Sequence, residues 1–544
     1  MERDILVGPS SDALRPLPAG SRAPSSCDER QLAVALRNLQ QPFTFNARTG
    51  ALTPADQPVL LTAASGLKFV PSVGVEDLGD ATFRADHRLR YAYVAGAMAN
   101  GIGSAEIVEA MSRAGMLGFF GAAGLSLPTV ETAIDRITRN LGDAPFGFNL
   151  IHTPNEPNHE AGIVSLFLKT GVRLVEASAY LDLTPPVVRY RVAGIHRDAG
   201  GKVVAPNRIV AKVSRVEVAS KFLSPPPAGI LRQLVSQGEI TTEQAELAAR
   251  VPMAQDLTAE ADSAGHTDNR PALALLPTML ALRDRLQSQH GYAEPLRVGA
   301  AGGISTPASA AAAFAMGAAY IVTGSVNQAC VESGSSDIVR QMLAEAEQAD
   351  VIMAPAADMF EMGVKVQVLK RGTMFAMRAA KLYEIYRSRE SLEAIPPAER
   401  TTLEQTIFRM PLTEVWQQTE AFWQKRDPTQ LEKAARDARY KMALAFRWYL
   451  GLSSRWANSG EPSRKVDYQV WCGPAMGAFN EWARGSFLEK PGNRTVAAVA
   501  LNLLYGAAVL TRANFLRCQG VAVPPAAVKL IPLPFDELQA QLAG

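Results

Sequence analysis

At 544 residues, 47% of them hydrophobic, the chain is long enough to bury a large core and to divide into two or three structural units. Its 55 Lys and Arg against 53 Asp and Glu leave a formal charge of +2 with both signs spread throughout, which argues against nucleic acid or an anionic membrane as the main partner. Four cysteines, Cys27, Cys330, Cys472 and Cys518, lie far apart without metal-ligand spacing, so reduced thiols in a cytoplasmic protein are expected.

The N-terminal MERDILVGPSSD has no apolar run of signal-peptide length. Residues 1–80 read as an irregular arm, rich in Pro, Ser and Gly up to about Thr53, with one helical patch near Arg30 to Leu39. From 81 to 370 strands and helices alternate. Apolar runs at Tyr93–Ala99, Met116–Gly121, Phe146–Ile151 and Val172–Ser178 have the small, continuous character of strands covered on both faces. Ser104 caps the helix after the first, and further helices are expected near Pro128–Leu141 and Ala161–Thr170. A hairpin turns at Asp198-Ala199-Gly200-Gly201. Ile209–Ser214 and Leu257–Asp262 follow as strands, with a capped helix at Thr241–Arg250 between them and a long one at Ala272–His290 after them.

Two strand–glycine–helix units close the series. Arg297–Ala301 runs into Gly302-Gly303, a cap at Ser305 or Thr306, and Pro307 in the first helical turn, where a missing N–H costs nothing; Gly317 ends that helix. Ala319–Thr323 ends at Gly324-Ser325. Paired glycine turns feeding helix N-termini make a phosphate cradle or two ordinary turns, and in a closed barrel the cradle follows strands 7 and 8. Eight such strands favour an α/β fold of the TIM (β/α)8 type, with the irregular arm before it and an α-helical C-terminal region after it; a doubly wound open sheet is the alternative.

Val364–Leu369 is expected to add one strand. From 371 to 544 the pattern is helical, over Thr373–Glu390, Thr401–Gln424, Pro428–Leu450, Met476–Glu489 and Arg494–Arg517. The uncharged run Thr495–Thr511 falls short of a membrane span and is read as a buried helix. All six tryptophans lie in this region, where they are expected to anchor the core.

Familiar motifs are lacking. Gly101-Ile102-Gly103 is followed by Glu106 where a dinucleotide fold needs a third glycine, Gly200-Gly201-Lys202 lacks P-loop spacing, and no GxSxG, HExxH or Cys/His cluster occurs. What remains is a set of polar residues at the C-terminal ends of the expected strands: Asn100, Asn149, Glu176, Ser178, Lys212, Asp262, Ser263 and His266. Lys212, between Ala211 and Val213, requires a carboxylate or an electron-rich ring to compensate a buried ammonium. His266, in the polar loop DSAGHTDNRP, suits proton transfer. His152 is a second candidate, His159 is read as structural, and His87, His196 and His290 as surface or packing residues.

The blocks YVAGAMANGI, GMLGFFGAAGL, FGFNLIHTPNEP, NRIVAKVSR, ADSAGHTDNRP, GAAGGISTP with VTGSVNQ, and WCGPAMGAFNEW, spread from about Leu78 to Gly520, resemble the PfaD family: FMN-dependent enoyl reductases of polyunsaturated fatty acid synthases and of trans-acyltransferase polyketide synthases. More distantly, AGHTDNRP and the glycine units resemble nitronate monooxygenases and the flavin-dependent bacterial enoyl-carrier-protein reductases. The resemblance implies FMN with its phosphate on Gly302, Gly303, Gly324 and Ser325 and its ring near Ala97, Met98, Asn149 and Lys212. It also implies NADPH as reductant and Lys212 stabilising the reduced ring. His266 would orient the thioester or supply the α-proton. The implied partners are acyl carrier protein domains of a modular synthase and their enoyl thioesters, without nucleic acid or membrane and with a homodimer allowed. The helical region would shape the acyl tunnel and the carrier contact. Nitronate oxidation and a non-catalytic synthase scaffold are the alternatives.

Overall fold

The computed structural model describes residues 28–55, 66–154 and 156–543. The N-terminal arm up to Cys27, expected to be irregular, lies outside the described residues. The chain divides into two compact units, one of the described residues up to Val73 together with Thr511–Lys529, the other of Gly74–Leu510 with Leu530–Ala543.

In the first unit the helix Glu29–Arg37, capped by the Asp28 carboxylate, precedes an antiparallel sheet of β1 (Phe43–Asn46), β2 (Leu52–Pro54) and β3 (Leu67–Val70), ordered β2-β1-β3. The sequence pattern predicts only irregular chain beyond the helical patch here; the strands are three or four residues long, too short to show a clear alternation.

The second unit contains β4 (Tyr93–Ala95), β5 (Leu117–Phe120), β6 (Gly147–Ile151), β7 (Leu174–Ser178), the hairpin β8 (His196–Arg197) and β9 (Val203–Val204), β10 (Arg208–Val213), β11 (Asp256–Glu260), β12 (Gly265–His266), β13 (Arg297–Ala301), β14 (Ile321–Thr323), β15 (Val351–Pro355) and β16 (Lys365–Leu369). Strands β4, β5, β6, β7, β10, β11, β13 and β14 pair in parallel in that order, and β14 closes on β4. This is the (β/α)8 barrel, and its strands coincide with the eight apolar runs of the sequence. The barrel closes because each run is buried on both faces and each is followed by a capped helix or a long connection. Ser104 accepts from the Ile107 amide at 3.0 Å, and Thr306 with Ser309 forms a reciprocal capping box ahead of Pro307.

The N-terminal rim is sealed by charge. Asp256, at the start of β11, accepts from Arg297 Nε at 2.6 Å and pairs with His87 Nε2 at 2.8 Å, and Arg297 also reaches Asp86 at 2.7 Å. Arg297 and Asp256 are almost wholly buried, so a paired charge cluster plugs this end of the barrel.

The helical region packs on β15 and β16, around Val366, Phe375, Leu382, Phe408, Phe446 and Tyr449. Two helices expected to be continuous are broken. Arg409 in the left-handed conformation and Pro411 separate the turns ending at Phe408 from Leu412–Arg426, because proline cannot donate to the preceding turn. Asp437 separates Thr429–Arg436 from Ala438–Ser459 by accepting the Arg439 and Tyr440 amides at 2.9 and 3.0 Å as an N-cap. The helix expected over Met476–Glu489 stops at Ala483. Val496–Cys518 is long and apolar enough to cross a membrane, but 83% of its most apolar window is buried inside the protein.

Candidate functional site

A cavity of about 850 Å³ opens at the C-terminal rim of the barrel and is roofed by the helices Leu412–Arg426 and Ala438–Ser459. The turns after β4, β7, β10, β11, β13 and β14 all contribute to its wall, so every cofactor-contact residue expected from the sequence, Ala97, Met98, Asn149, Lys212, Gly302, Gly303, Gly324 and Ser325, lines this one space.

The two glycines after β13 differ in purpose. Both have positive φ, +83° at Gly302 and +73° at Gly303, which other residues adopt at a cost. A Cβ on Gly302 would stand 2.6 Å from the Ala261 carbonyl carbon and 2.8 Å from the Ala261 and Asp262 oxygens, so this residue is glycine to let β13 pass the end of β11. A Cβ on Gly303, or on Gly324 beyond β14, would meet nothing within 4 Å. These two therefore bare their backbone to the cavity. Ser325 is buried and its Oγ accepts from the Gly473 amide at 3.3 Å, tying the Trp471-Cys472-Gly473 segment to the β14 turn.

Beneath the cavity Lys212 projects from β10, and its Nζ donates to Glu260 Oε1 at 2.8 Å; Ser263 Oγ donates to the same oxygen at 3.1 Å. The compensating carboxylate the sequence requires is Glu260, inside the run read as strand six but not singled out there. A second carboxylate, Glu176 on β7, is fully buried: Oε2 accepts from the Ala97 amide at 3.1 Å, and Oε1 finds no partner among the described residues. Burial pushes the Glu176 carboxyl up to about 7, against the pull of Lys212. Burial also works against the Lys212 charge, yet Glu260 and Glu176 together hold the ammonium above its ordinary range. Asn149 donates to the Glu176 carbonyl at 3.1 Å and to Ser178 Oγ at 2.8 Å, fixing the floor across β6 and β7.

His266 is not in a free loop. It lies on β12, which pairs with β16 in a three-stranded sheet ordered β12-β16-β15. Gln367 of β16 donates to Asp262 Oδ1 at 2.9 Å and to the Ser263 carbonyl at 2.7 Å, pinning the segment. His266 Nε2 lies 3.1 Å from Asp358 Oδ1, a partner 92 residues away. Burial disfavours the imidazolium, but the Asp358 carboxylate outweighs it and raises the His266 pKa. Imidazole, Asp358, Lys212 and Glu260 all face the cavity.

The other candidates divide. Asn100, with φ +57°, donates to Ser454 Oγ at 2.9 Å and joins rim to roof. His152 stacks on Tyr180 at 5.3 Å outside the cavity lining, whereas His159, read as structural, lines it. Trp416, Trp448, Trp456 and Trp471 pack against the helical core and Trp423 is buried in a smaller cluster, as the core-anchor reading expects, while Trp423, Trp448 and Trp471 also wall the cavity, a second role that reading did not give them. In chemical terms the space combines exposed backbone amides, a buried cation between two carboxylates, an acid–base imidazole, and an apolar roof. Among the described residues there is no cluster of His, Cys, Asp and Glu able to hold a metal.

Comparison with known proteins fits this picture. The enoyl reductase domain of MlnA, from the macrolactin biosynthesis cluster of Bacillus amyloliquefaciens, is 41% identical and superposes with a TM-score of 0.77 over 82% of this chain and 100% of that domain. A polyunsaturated fatty acid synthase polypeptide of Thraustochytrium sp. is 48% identical over 92% of this chain, and the polyketide biosynthesis protein PksE of Bacillus subtilis is 46% identical over 87%. The chain spans only 34% of the synthase polypeptide and 61% of PksE. Residues 389–468 match the inserted helical domain of [acyl-carrier-protein] S-malonyltransferase.

Proposed function

The chain belongs to the PfaD family of enoyl reductases from polyunsaturated fatty acid and polyketide synthases, and on that premise we propose that it is an NADPH-dependent, FMN-containing reductase of α,β-enoyl thioesters borne by acyl carrier protein domains. The observation that carries the reading is the convergence of Gly303, Gly324, Lys212 and His266 on one cavity at the C-terminal rim.

The residues present fit a flavin mononucleotide. The open backbone at Gly303 and Gly324 receives a phosphate, with Gly302 and Ser325 fixing the two turns. Ala97 and Met98 offer a flat, uncharged wall to the ring, Asn149 offers an amide, and Lys212 offers positive charge at the ring edge where reduction accumulates negative charge. A flavin held by these residues would supply hydride-transfer chemistry between NADPH and the β-carbon of the enoyl group.

The chain's own residues do the rest. Lys212 keeps its proton because Glu260 and Glu176 face it, and so serves as a fixed cation. His266, whose protonated form the Asp358 carboxylate favours, is placed to give a proton to the α-carbon of the thioester. Trp448, Leu444 and Leu450 line the roof and exclude water from an acyl chain. The likeness of 389–468 to a helical insert from an acyl-carrier-protein transferase supports reading this roof as the surface that receives a carrier-bound acyl group.

The test is NADPH oxidation by purified protein supplied with crotonyl-carrier thioester under nitrogen, alongside NADH and a panel of other enoyl thioesters. Oxidation that depends on the enoyl thioester supports the proposal. Turnover of an alkyl nitronate in air, with none on any enoyl thioester, replaces it with a nitronate oxidase.

A further inference from the structure

The roof of the cavity carries a positive charge that no carboxylate answers. Arg447, Gly451 and Arg455 succeed one another at four-residue steps along Ala438–Ser459, the spacing that aligns side chains on one helix face, and all three line the cavity with Arg426 of the neighbouring helix. Two of these arginines are neutralised: Arg426 Nε contacts Glu156 Oε2 at 2.5 Å and Arg447 contacts Glu361 Oε1 at 3.1 Å. For Arg455 no carboxylate among the described residues stands in ion-pair range. Its guanidinium lies 5.8 Å from the Phe422 ring centroid, the same distance at which Arg426 approaches that ring.

Two cations thus flank one exposed aromatic ring with a single carboxylate between them. Partial desolvation of its inner side by the surrounding wall, and then the charge of Arg426, pull the Arg455 pKa below its ordinary range although the side chain still reaches solvent. The same two causes lower His159 on this wall, although Glu156 opposes them. Gly451 adds an independent sign. A glycine inside a helix costs roughly 0.5–1 kcal/mol against alanine, yet a Cβ there would meet nothing within 4 Å, so the helix keeps open space between the two arginines. Arg455 and Phe422 are solvent-exposed, whereas Leu444 and Leu450 of the same lining are buried, which puts the pair at the outer end of the cavity.

We propose that Arg455, with Arg426 beside it and the room left by Gly451, binds the phosphate ester of a molecule entering the cavity. The inference rests on the reductase reading, in which both molecules using this entrance, a phosphopantetheine-linked enoyl thioester and NADPH, carry such a group. A guanidinium fork matches two phosphate oxygens, and Arg455 is the one whose charge is not already spent on a carboxylate.

The experiment uses the whole chain with flavin bound, as wild type, Arg455→Gln and Arg455→Lys, each checked by thermal melting. Crotonyl-phosphopantetheine is compared with crotonyl-pantetheine, and NADPH with the phosphate-free reductant N-benzyl-1,4-dihydronicotinamide. The expected result is that in one pair wild type favours the phosphorylated compound in kcat/KM by about tenfold or more, that the ratio collapses towards one in Arg455→Gln, and that Arg455→Lys lies between. The pair that responds identifies the phosphate. Ratios unchanged by Arg455→Gln in both pairs overturn the site while leaving the reductase reading intact. Failure of wild type to reduce any thioester counts against the reductase reading instead. In that event calorimetry with inorganic pyrophosphate decides the arginine site: weaker binding to Arg455→Gln supports it, and equal binding overturns it.

Discussion

Replacing Gly302 and Gly303 separately by alanine pulls apart two roles that adjacent glycines play. Each residue sits at positive φ, so each alanine carries the left-handed penalty of about 1–2 kcal/mol. At Gly302 the new methyl also falls 2.6–2.8 Å from backbone atoms of Ala261 and Asp262, which directly follow barrel strand β11 and are held there by backbone hydrogen bonds to Ala301 and Arg270. Overpacking of that kind adds about 1–3 kcal/mol, so Gly302→Ala is expected to lose roughly 2–5 kcal/mol in all. Gly303→Ala has no such neighbour and should lose only the left-handed penalty. Urea denaturation of flavin-free protein, followed by circular dichroism, reads the difference directly. Gly303→Val then fills the hollow rather than the wall, so the protein should fold yet emerge colourless from purification. Equal stability of the two alanine variants would refute the packing argument, and full flavin content in Gly303→Val would move the phosphate elsewhere.

Other outcomes follow from the same geometry. His266→Ala should keep its flavin and lose enoyl turnover by about 10² or more, measured as NADPH oxidation; a loss of only a few-fold would remove His266 from proton delivery. Asp358→Asn takes away the charge that raises the His266 pKa. Because the proposed step draws on the protonated ring, the alkaline limb of the kcat/KM profile should move to lower pH, and an unmoved limb would disconnect the pair from the step. Lys212→Met leaves Glu260 and Glu176 without their cation, so the Glu176 carboxyl should rise further and flavin retention should fall; tight flavin binding in this variant would contradict the charge argument. At the opposite rim, Asp256 is held down to about 2, so its contribution is fully present above the ordinary carboxylate range and lost as pH falls through about 2. Asp256→Asn should cost up to about 3–5 kcal/mol in urea at neutral pH, because buried Arg297 keeps only Asp86 as an ion-pair partner and His87 loses its own, while leaving kcat near wild type.

The barrel is legible in the sequence because its signals are local. Buried parallel strands appear as unbroken apolar runs, and Ser104, Thr241 and Thr306 mark helix starts within a few residues of the segments before them. Lys212, Asn149 and the glycine turns can be found because a position at a strand end is itself a local property. What joins distant segments is not legible. Asp358 is invisible as the partner of His266 because only the pairing of β12 with β16 brings 266 and 358 together, and Glu260 looks like one more residue of a strand until β10 and β11 come into register. The tryptophans are half legible for a related reason: helical periodicity says that Trp448 and Trp423 face inward to a core, as they do, but not that the same rings also reach the cavity. Pro411 and Asp437, a helix breaker and an N-cap, do mark the two helix breaks in the sequence, but inside runs whose apolar periodicity continues across them.

The measurement that bears most directly on the whole account is a titration of flavin-free protein with FMN and with riboflavin, followed by quenching of flavin fluorescence. If the turns at Gly303 and Gly324 grip a phosphate, FMN binds one to one and riboflavin, lacking only that group, binds at least about tenfold more weakly. Equal affinity for the two, or uptake of neither, would contradict it.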